Sequence, residues 1–504
     1  MLYKPSTGRF KDGYIIWHEG VFYLFSMFGP GPEDQFRSVW LASSDDGVHW
    51  KHVGPVIENA PFNIWAMAVH RAGGRFIMNH GSFSRPGVQN ILRFWESSDL
   101  VHWKYLGRES EVTPDPRWHD PNGRLDCMAV LCVTEDGRER YYGYATGPGG
   151  FLRSDDGIKW EGMPSLEIDW GEPGPPPMQK DEGFLEIGGC ERINGRFYLV
   201  GGWFNYLGFT GYNVFTLVSD NPTGPFRPDP GAYRLCGNSR RWVSLWARFC
   251  RTDSELLVNG YMYDGHTYES GQTWLPPLKR AIVDAGGSLR LGYWRGNDAI
   301  KGEAIPIDLA RTRPAFPSAE SQTFKRRAAL TSLELEIGPE QGSILRAEDP
   351  IAVVTLEAEW DFDKGIVLEG TVKATCRDKR LASPGAGFLL EEKPGEGTAI
   401  WLQGFGLTQI GSLAWSDRVA FTFEDVVIPG GAAKAGIAPH IPHAFRLFAR
   451  RNMFEFYLDD RLVQTFNTSH VPGVQGLTPR RIGFLAQNGS AIFENLRAWQ
   501  MNLE

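Results

Sequence analysis

The chain has 504 residues, enough for two or more domains, and its 42% hydrophobic and 22% charged residues are ordinary for a soluble globular protein. A net charge of −8 without a long basic run argues against a nucleic-acid partner. No apolar stretch approaches the length of a membrane span, so no membrane partner is expected. The first residues do not resemble a signal peptide, which predicts a cytoplasmic location unless a leader was removed.

The composition favours an all-β fold. Aromatic residues make up 13% of the chain and there are 59 glycines, a balance typical of many short strands joined by glycine turns. No segment shows helical periodicity over three turns. The six cysteines are scattered without a Cys-x-x-Cys pair, and we expect them to be reduced core residues.

Hairpin signals recur along the first part of the chain. Each is a polar or glycine turn between aromatic or apolar strands, with its tip at residues 19–20, 73–74, 136–137, 194–195 and 253–254. The turns define five units of about four strands each, near residues 13–57, 65–108, 126–165, 186–235 and 244–295. Radial repetition of four-stranded sheets predicts an N-terminal five-bladed β-propeller over residues 1–300.

A second repeated signal lies in the later half of these units. A Ser/Asp/Gly turn leads into an aromatic residue at Ala42–Trp50, Glu96–Trp103 and Arg153–Trp160, with a degenerate copy at Val218–Phe226. The polar cluster is turn chemistry, and we expect the aromatic ring to anchor the next strand in the core of its blade.

The remainder of the chain has a different texture. Residues 301–325 carry several prolines and read as a linker. Beyond it, alternating stretches such as Leu333–Ile337 and His443–Arg450 indicate half-buried strands, and Phe454–Phe466 reads as a hairpin. We therefore predict a C-terminal antiparallel β-sandwich over residues 326–504.

Three acidic residues occupy the same local setting within the repeat. Asp12, Asp126 and Glu186 each stand just before the first strand of a unit, in blades one, three and four. The first strand of a blade lines the central channel, so the three carboxylates are expected to converge at one end of it. Convergent carboxylates are what glycosidic bond cleavage requires. Glu182 competes with Glu186 for its place, and Asp120 competes with Asp126.

With these motifs, the chain resembles glycoside hydrolase families 32 and 43, five-bladed propellers that act on furanosides and related sugars. Family 32 also carries a C-terminal β-sandwich, and its usual motifs are Asn-Asp-Pro-Asn, Arg-Asp-Pro and Glu-Cys-Pro. Here Asp12 lacks the flanking Asn and Pro, Arg124-Leu125-Asp126 stands in for Arg-Asp-Pro, and Glu186 is followed by Ile-Gly.

The resemblance implies a role for each carboxylate. Asp12 would be the nucleophile of a retaining enzyme or the base of an inverting one, and Glu186 the general acid. Asp126 would stabilise the oxocarbenium-like transition state. The expected activity is hydrolysis of a terminal furanoside, with a β-fructofuranoside preferred. The alternatives are an arabinofuranosidase or xylosidase, a fructosyltransferase, a sialidase, and a propeller that binds sugar without catalysis.

Further side chains are candidates for contact with the glycoside substrate: Trp65, Arg124, Asp120, His80 and Arg248. Arg124 binds a sugar hydroxyl, fixes Asp126 or is a loop arginine that faces solvent. Trp65 either stacks on a sugar or fills the blade core. His440 and His443 lack further ligands, so no metal is expected. No cofactor motif occurs, so no cofactor is expected, and the sequence leaves a homo-oligomeric state open.

Overall fold

The computed structural model describes the chain outside residues 7–10, 30–35, 86–87, 148–149, 172–185, 205–210, 232–233, 239–241, 266–271, 316–323, 330, 338–350, 377–383, 406, 416–418, 428–436 and 469–476. The described residues are mostly β-strand, with short 3₁₀ segments at Arg108–Ser110 and Arg295–Ile300. The chain divides into two units. The first contains residues 1–263, 272–289 and 294–297, and the second contains residues 264–271, 290–293 and 298–504.

The first unit contains five antiparallel sheets that follow one another along the chain. Blade one is β1 (Lys11–His18), β2 (Val21–Phe28), β3 (Ser38–Ser44) and β4 (Lys51–Ile57), and blade two is β5 (Trp65–Ala72), β6 (Arg75–Arg85), β7 (Val88–Ser97) and β8 (Lys104–Tyr105). Blade three is β9 (Asp126–Glu135), β10 (Arg138–Thr146), β11 (Phe151–Ser154) and β12 (Glu161–Gly162). Blade four is β13 (Glu186–Ile193), β14 (Arg196–Phe204), β15 (Tyr212–Ser219), β16 (Arg227–Pro228) and β17 (Arg234–Gly237). Blade five is β18 (Ser244–Arg251), β19 (Leu256–Tyr263), β20 (Thr273–Trp274) and β21 (Lys279–Val283).

The five sheets close into a ring. The inner strands β1, β5, β9, β13 and β18 neighbour one another in that order, and β18 also neighbours β1. Near the chain start, the Leu2 amide donates to the Leu275 carbonyl at 2.8 Å, and Tyr3 forms a β-bridge with Leu275. The predicted five-bladed propeller is therefore confirmed.

The order of the strands decides which loops share a face of the propeller. Four antiparallel strands bring the end of the outermost strand back to the face where the inner strand began. The starts of β1, β9 and β13 thus lie on one face, together with the connections between blades. The hairpins predicted from turn chemistry lie on the opposite face.

All five inner strands carry the same β-bulge near their start. Two residues of each inner strand oppose one residue of its partner, at residues 12–13, 66–67, 127–128, 187–188 and 246–247. Four bulges place a residue in the left-handed region, with φ of 49° at Asp12, 46° at Ala66, 51° at Cys127 and 60° at Trp246. Bulges bend a strand and re-aim its side chains. The shared bulge therefore sets the direction of the side chains at the mouth of the channel.

The bulge corrects the prediction that the three acidic residues occupy equivalent positions in their blades. Asp126 and Glu186 both hold the position just before the bulge, and Trp65 holds it in blade two. In blade one that position belongs to Lys11, and Asp12 is the first bulge residue itself. The three carboxylates are thus not at matched positions, because Asp12 lies one residue further along its strand.

The second unit consists of two antiparallel sheets. One contains β22 (Leu289–Tyr293), β35 (Arg461–Asn467), β34 (Met453–Leu458), β33 (His443–Arg450), β28 (Ile366–Thr375), β37 (Ser490–Met501), β26 (Ser332–Ile337) and β25 (Phe324–Ala329), with β23 (Lys301–Ile305) on β37. The other contains β24 (Thr312–Pro314), β27 (Ile351–Leu356), β36 (Arg481–Gln487), β29 (Gly385–Lys393), β30 (Glu396–Gln403), β31 (Leu407–Trp415) and β32 (Val419–Val427). The Phe388 ring of the second sheet lies 4.6 Å from Phe445 and 5.5 Å from Phe493 of the first. The predicted β-sandwich is confirmed.

The prediction of a linker at 301–325 was wrong for its described part. Lys301–Ile305 pairs with β37, and Thr312–Pro314 pairs with β27. These residues belong to the two sheets of the second unit, one strand in each. Residues 316–323 lie outside the described part of the chain.

Candidate active site

Asp126 is held rigidly at the start of the blade-three inner strand. Its side chain is fully buried, and Arg124 Nε donates to both carboxylate oxygens at 3.1 and 3.0 Å. Gly81 of blade two lies against it, where a Cβ would overlap the Asp126 Cβ. Because Gly81 has no side chain, it leaves room for Asp126. The Arg124 guanidinium fixes the plane of the Asp126 carboxylate.

Glu186 is joined to Asp126 through the same arginine. Arg124 Nη2 donates to Glu186 Oε1 at 3.1 Å, and the Tyr212 hydroxyl donates to Oε2 at 3.0 Å. The backbone amide of Ile187 donates to Thr146 Oγ1 of blade three at 3.0 Å. Arg124 therefore bridges two blades at the mouth of the channel.

Asp12 is the third carboxylate, on blade one. The Tyr261 hydroxyl of blade five donates to its Oδ1 at 2.7 Å. No residue in the described part of the chain hydrogen-bonds to its Oδ2. Asp12 thus differs from Asp126 and Glu186, whose oxygens are all occupied.

Electrostatics couples the three groups. Burial raises the pKa of Asp126, and the charge of Arg124 opposes the rise. Burial also raises the pKa of Glu186, Arg124 lowers it, and the charges of Asp12 and Asp126 raise it again. The net result is a raised pKa at both Asp126 and Glu186. A raised pKa keeps a carboxyl group protonated to higher pH, which suits a general acid.

Two of the residues predicted to contact substrate are placed at this mouth. Arg124 lies between the two carboxylates, as described above. Trp65 holds the position in blade two that Asp126 and Glu186 hold in theirs, is half-buried, and has its ring 6.0 Å from that of Phe83.

Three other predicted contacts are corrected by the structure. His80 is fully buried, with Nδ1 bonded to the Gly81 carbonyl at 2.9 Å and Nε2 accepting from Trp95 Nε1 at 3.0 Å. Arg248 is only 2% exposed and packs on the Trp246 ring at 4.3 Å. Both side chains are engaged with other protein groups, His80 through its two ring nitrogens and Arg248 through the Trp246 ring and the Met67 carbonyl.

Asp120 is the third correction. It is exposed, and its Oδ1 accepts from the Asn122 amide at 2.9 Å, so it shapes a turn. No contact joins it to Arg124 or to the other carboxylates within the described residues. Glu182, the predicted rival of Glu186, lies outside the described residues.

Sequence reasoning missed the residues that hold the carboxylates. Tyr261 is the direct strand partner of Leu245, the blade-five residue that precedes the bulge, so an alignment of the five units would have pointed to it. Tyr212 gives no such signal, because it reaches Glu186 from the third strand of its blade. It does so across Gly202, where a Cβ would overlap the tyrosine hydroxyl.

The described residues contain neither a metal-binding cluster nor a membrane-spanning helix. No group of three or more His, Cys, Asp or Glu side chains is arranged to hold a metal ion. No helix there is long and apolar enough to cross a membrane.

Known proteins resemble this chain in structure and not in sequence. No protein-family model matches the sequence, and no curated protein matches it. Fructan 1-exohydrolase IIa from Cichorium intybus superposes with a TM-score of 0.64 and 13% identity, covering 99% of this chain and 96% of that one. Exo-inulinase from Aspergillus awamori gives 0.63 and 14%, covering 100% and 97%. A family 32 β-fructofuranosidase from Bombyx mori gives 0.60 and 12%, covering 99% and 94%.

These matches extend over both units at low sequence identity. The chain therefore has the propeller-and-sandwich fold of glycoside hydrolase family 32 enzymes.

Proposed function

We propose that the protein is a glycoside hydrolase that removes a terminal furanosyl unit, with a β-fructofuranoside as substrate. The observation that carries the proposal is the cluster of Asp12, Asp126 and Glu186, held at the mouth of the channel by Arg124 and two tyrosines. The sugar assignment is supported by the fold, which is shared with a β-fructofuranosidase, an exo-inulinase and a fructan exohydrolase.

The hydrogen bonds of the carboxylate oxygens support different catalytic roles for the three acidic residues. A nucleophile needs an oxygen with an available lone pair, and Asp12 Oδ2 has no hydrogen-bond partner among the described residues. Asp126 has both oxygens bonded to Arg124, so its carboxylate is held in one place. Glu186 has the raised pKa that a general acid requires.

The proposed reaction has two steps. In the first, Asp12 Oδ2 bonds to the anomeric carbon, the glycosidic C–O bond breaks, and the leaving oxygen takes the proton of Glu186. In the second, the Glu186 carboxylate takes a proton from water, and the water oxygen displaces Asp12 from the anomeric carbon. The sugar is released and both carboxyl groups return to their starting states.

Asp126 would act in both steps without forming a bond. Positive charge develops on the sugar ring as the glycosidic bond breaks, and a fixed negative charge close to the ring stabilises it. Arg124 keeps this carboxylate in one orientation, so little reorganisation is needed at the moment of reaction.

The test measures sugar release by the wild type, Asp12→Asn and Glu186→Gln from a panel of fructosides, arabinosides and xylosides. The proposal expects release from a fructoside by the wild type. It expects a loss of about 10⁴-fold or more in Asp12→Asn, because the nucleophile is removed. Circular dichroism of each variant controls for folding.

Other results would count against the proposal. Release of arabinose or xylose alone would assign the site to another furanoside or pyranoside. Unchanged release in both variants, or tight sugar binding without release, would contradict the catalytic assignment and favour a binding propeller.

A further inference from the structure

The two oxygens of Glu186 have chemically different partners. Oε1 accepts from the guanidinium of Arg124 at 3.1 Å, and Oε2 accepts from the hydroxyl of Tyr212 at 3.0 Å. Tyr212 is fully buried, and its hydroxyl reaches Glu186 across the middle strand of blade four. The two contacts have similar lengths, but the two donors differ in what else they can do.

The difference matters when Glu186 carries the proton that it must donate. A guanidinium has only N–H donors and no acceptor, whereas a tyrosine hydroxyl can donate or accept. A proton on Oε1 would point an O–H at an N–H of Arg124, and the bond would be lost. A proton on Oε2 points at the Tyr212 hydroxyl, which can turn so that its oxygen accepts the hydrogen bond.

We propose that Tyr212 is a positioning residue that places the acid proton of Glu186 on Oε2, from which it passes to the leaving oxygen. The inference rests on the proposed function, since it concerns the acid of that reaction. Arg124 keeps Oε1 unprotonated. Tyr212 can form a hydrogen bond with Oε2 whether or not Oε2 carries the proton.

The proton follows one path through the reaction. Before cleavage, the Tyr212 oxygen accepts the O–H of Glu186 Oε2. When the glycosidic C–O bond breaks, the Oε2–H turns from Tyr212 to the leaving oxygen and its proton is transferred there, and the Tyr212 hydroxyl turns to donate to the new carboxylate. Water then returns a proton to Oε2 in the second step, and the hydroxyl turns back.

Gly202 is the structural condition for this arrangement. It is the direct strand partner of Glu186 on β14, and Tyr212 begins the next strand. A Cβ at Gly202 would overlap the Tyr212 hydroxyl. The absence of a side chain at Gly202 therefore opens the route from Tyr212 to Glu186.

The experiment compares wild type, Tyr212→Phe and Gly202→Ala on two substrates of the same sugar. One has an alkyl-alcohol leaving group, which needs the acid, and the other has a 4-nitrophenolate leaving group, which hardly does. Both variants are expected to lose on the order of tenfold or more in kcat/KM on the first substrate and much less on the second. Tyr198→Phe is the matched control, because Tyr198 is a buried tyrosine of blade four whose hydroxyl bonds the Gly287 carbonyl at 2.8 Å.

The pH profile gives a readout that a structural role would not move. The Tyr212 hydrogen bond lowers the pKa of Glu186, so its removal raises that pKa. The basic limb of kcat/KM is therefore expected at higher pH in Tyr212→Phe. An equal loss on both substrates with an unmoved basic limb would overturn the inference.

A titration independent of activity separates this inference from the proposed function. The Glu186 carboxyl carbon is followed by ¹³C NMR with labelled glutamate and assigned by its absence in Glu186→Gln. The inference expects a higher pKa in Tyr212→Phe than in the wild type, and an unchanged pKa overturns it. A wild type that releases no sugar while this shift is present would refute the proposed function alone.

Discussion

Arg124 illustrates how one residue can organise a site built by several strands. Its Nε contacts Asp126 and its Nη2 contacts Glu186, so a single guanidinium connects blades three and four. The sequence left open whether Arg124 binds a sugar hydroxyl, fixes Asp126 or faces solvent, and in the structure it is bonded to Asp126. The contact with Glu186 was not foreseen, because the two residues are distant in the chain.

Replacement of Arg124 tests this role. Arg124→Gln removes a charge that lowers the pKa of Glu186, so that pKa rises and Glu186 stays protonated to higher pH. We expect the basic limb of kcat/KM to move upward. The loss of charged hydrogen bonds is expected to lower kcat/KM by about ten- to a hundredfold.

The matched control is Arg140→Gln, also in blade three, whose Nε lies 3.6 Å from Glu135 and from Asp155. A basic limb that moves downward in Arg124→Gln, or equal effects in both variants, would contradict the assigned role.

At the scale of the element, turn chemistry made the hairpins predictable and the bulges unpredictable. The hairpin tips carry Gly, Asn or Asp, residues that tolerate left-handed backbone. The bulges place Ala66, Cys127 and Trp246 in the same region of backbone space, and these residue types carry no turn signal. The offset of Asp12 from Asp126 and Glu186 was missed for this reason.

The Ser/Asp turns are the best-predicted elements of the blades. In blade one, Ser44 Oγ accepts from the Gly47 amide at 2.9 Å, and Asp46 Oδ1 accepts from the amides of Val48 and His49 at 2.9 and 2.8 Å. Asp99 and Asp156 make the same pair of bonds in blades two and three. Each turn is closed by its own side chains, which is why the local sequence was sufficient to predict it.

These turns make the stability of the protein depend on acid pH. Burial raises the pKa of Asp46, and its hydrogen bonds from His49, Val48 and Ser44 outweigh that effect and lower it to about 2. Because the folded pKa lies below the ordinary value, Asp46 stabilises the fold above about pH 4. This contribution is lost as the pH falls towards about 2.

Asp46→Asn is therefore expected to lower the free energy of unfolding at pH 7 by about 1 kcal/mol or less, since the Asp46 side chain is 40% exposed and its interactions are screened by solvent. The difference from wild type should shrink below pH 4. Denaturant unfolding at pH 7 and pH 3 measures both values. Asp45→Asn is the control, because Asp45 is 76% exposed and, among the residues that the structure describes, pairs only with Lys51 at 3.5 Å. A difference that grows on acidification would contradict the assignment.

At the scale of the whole molecule, repetition made the architecture readable from the sequence. Five hairpins and their partner turns were enough to predict the propeller, and alternating strands were enough to predict the sandwich. The linker prediction was wrong because β23 and β24 are short strands that contain or adjoin proline and polar residues. Their strand partners, β37 and β27, lie far along the chain, and local patterns carry no information about such pairing.

The proposed mechanism depends on Asp12 forming a bond to the sugar. The most direct test incubates Glu186→Gln with a 4-nitrophenyl fructofuranoside and maps the modified peptide by mass spectrometry. The leaving group departs without acid help, and the second step lacks its base, so a glycosyl-enzyme should accumulate. We expect one hexosyl unit on Asp12. A hexosyl unit on another residue, or turnover with no adduct and inverted product, would contradict it.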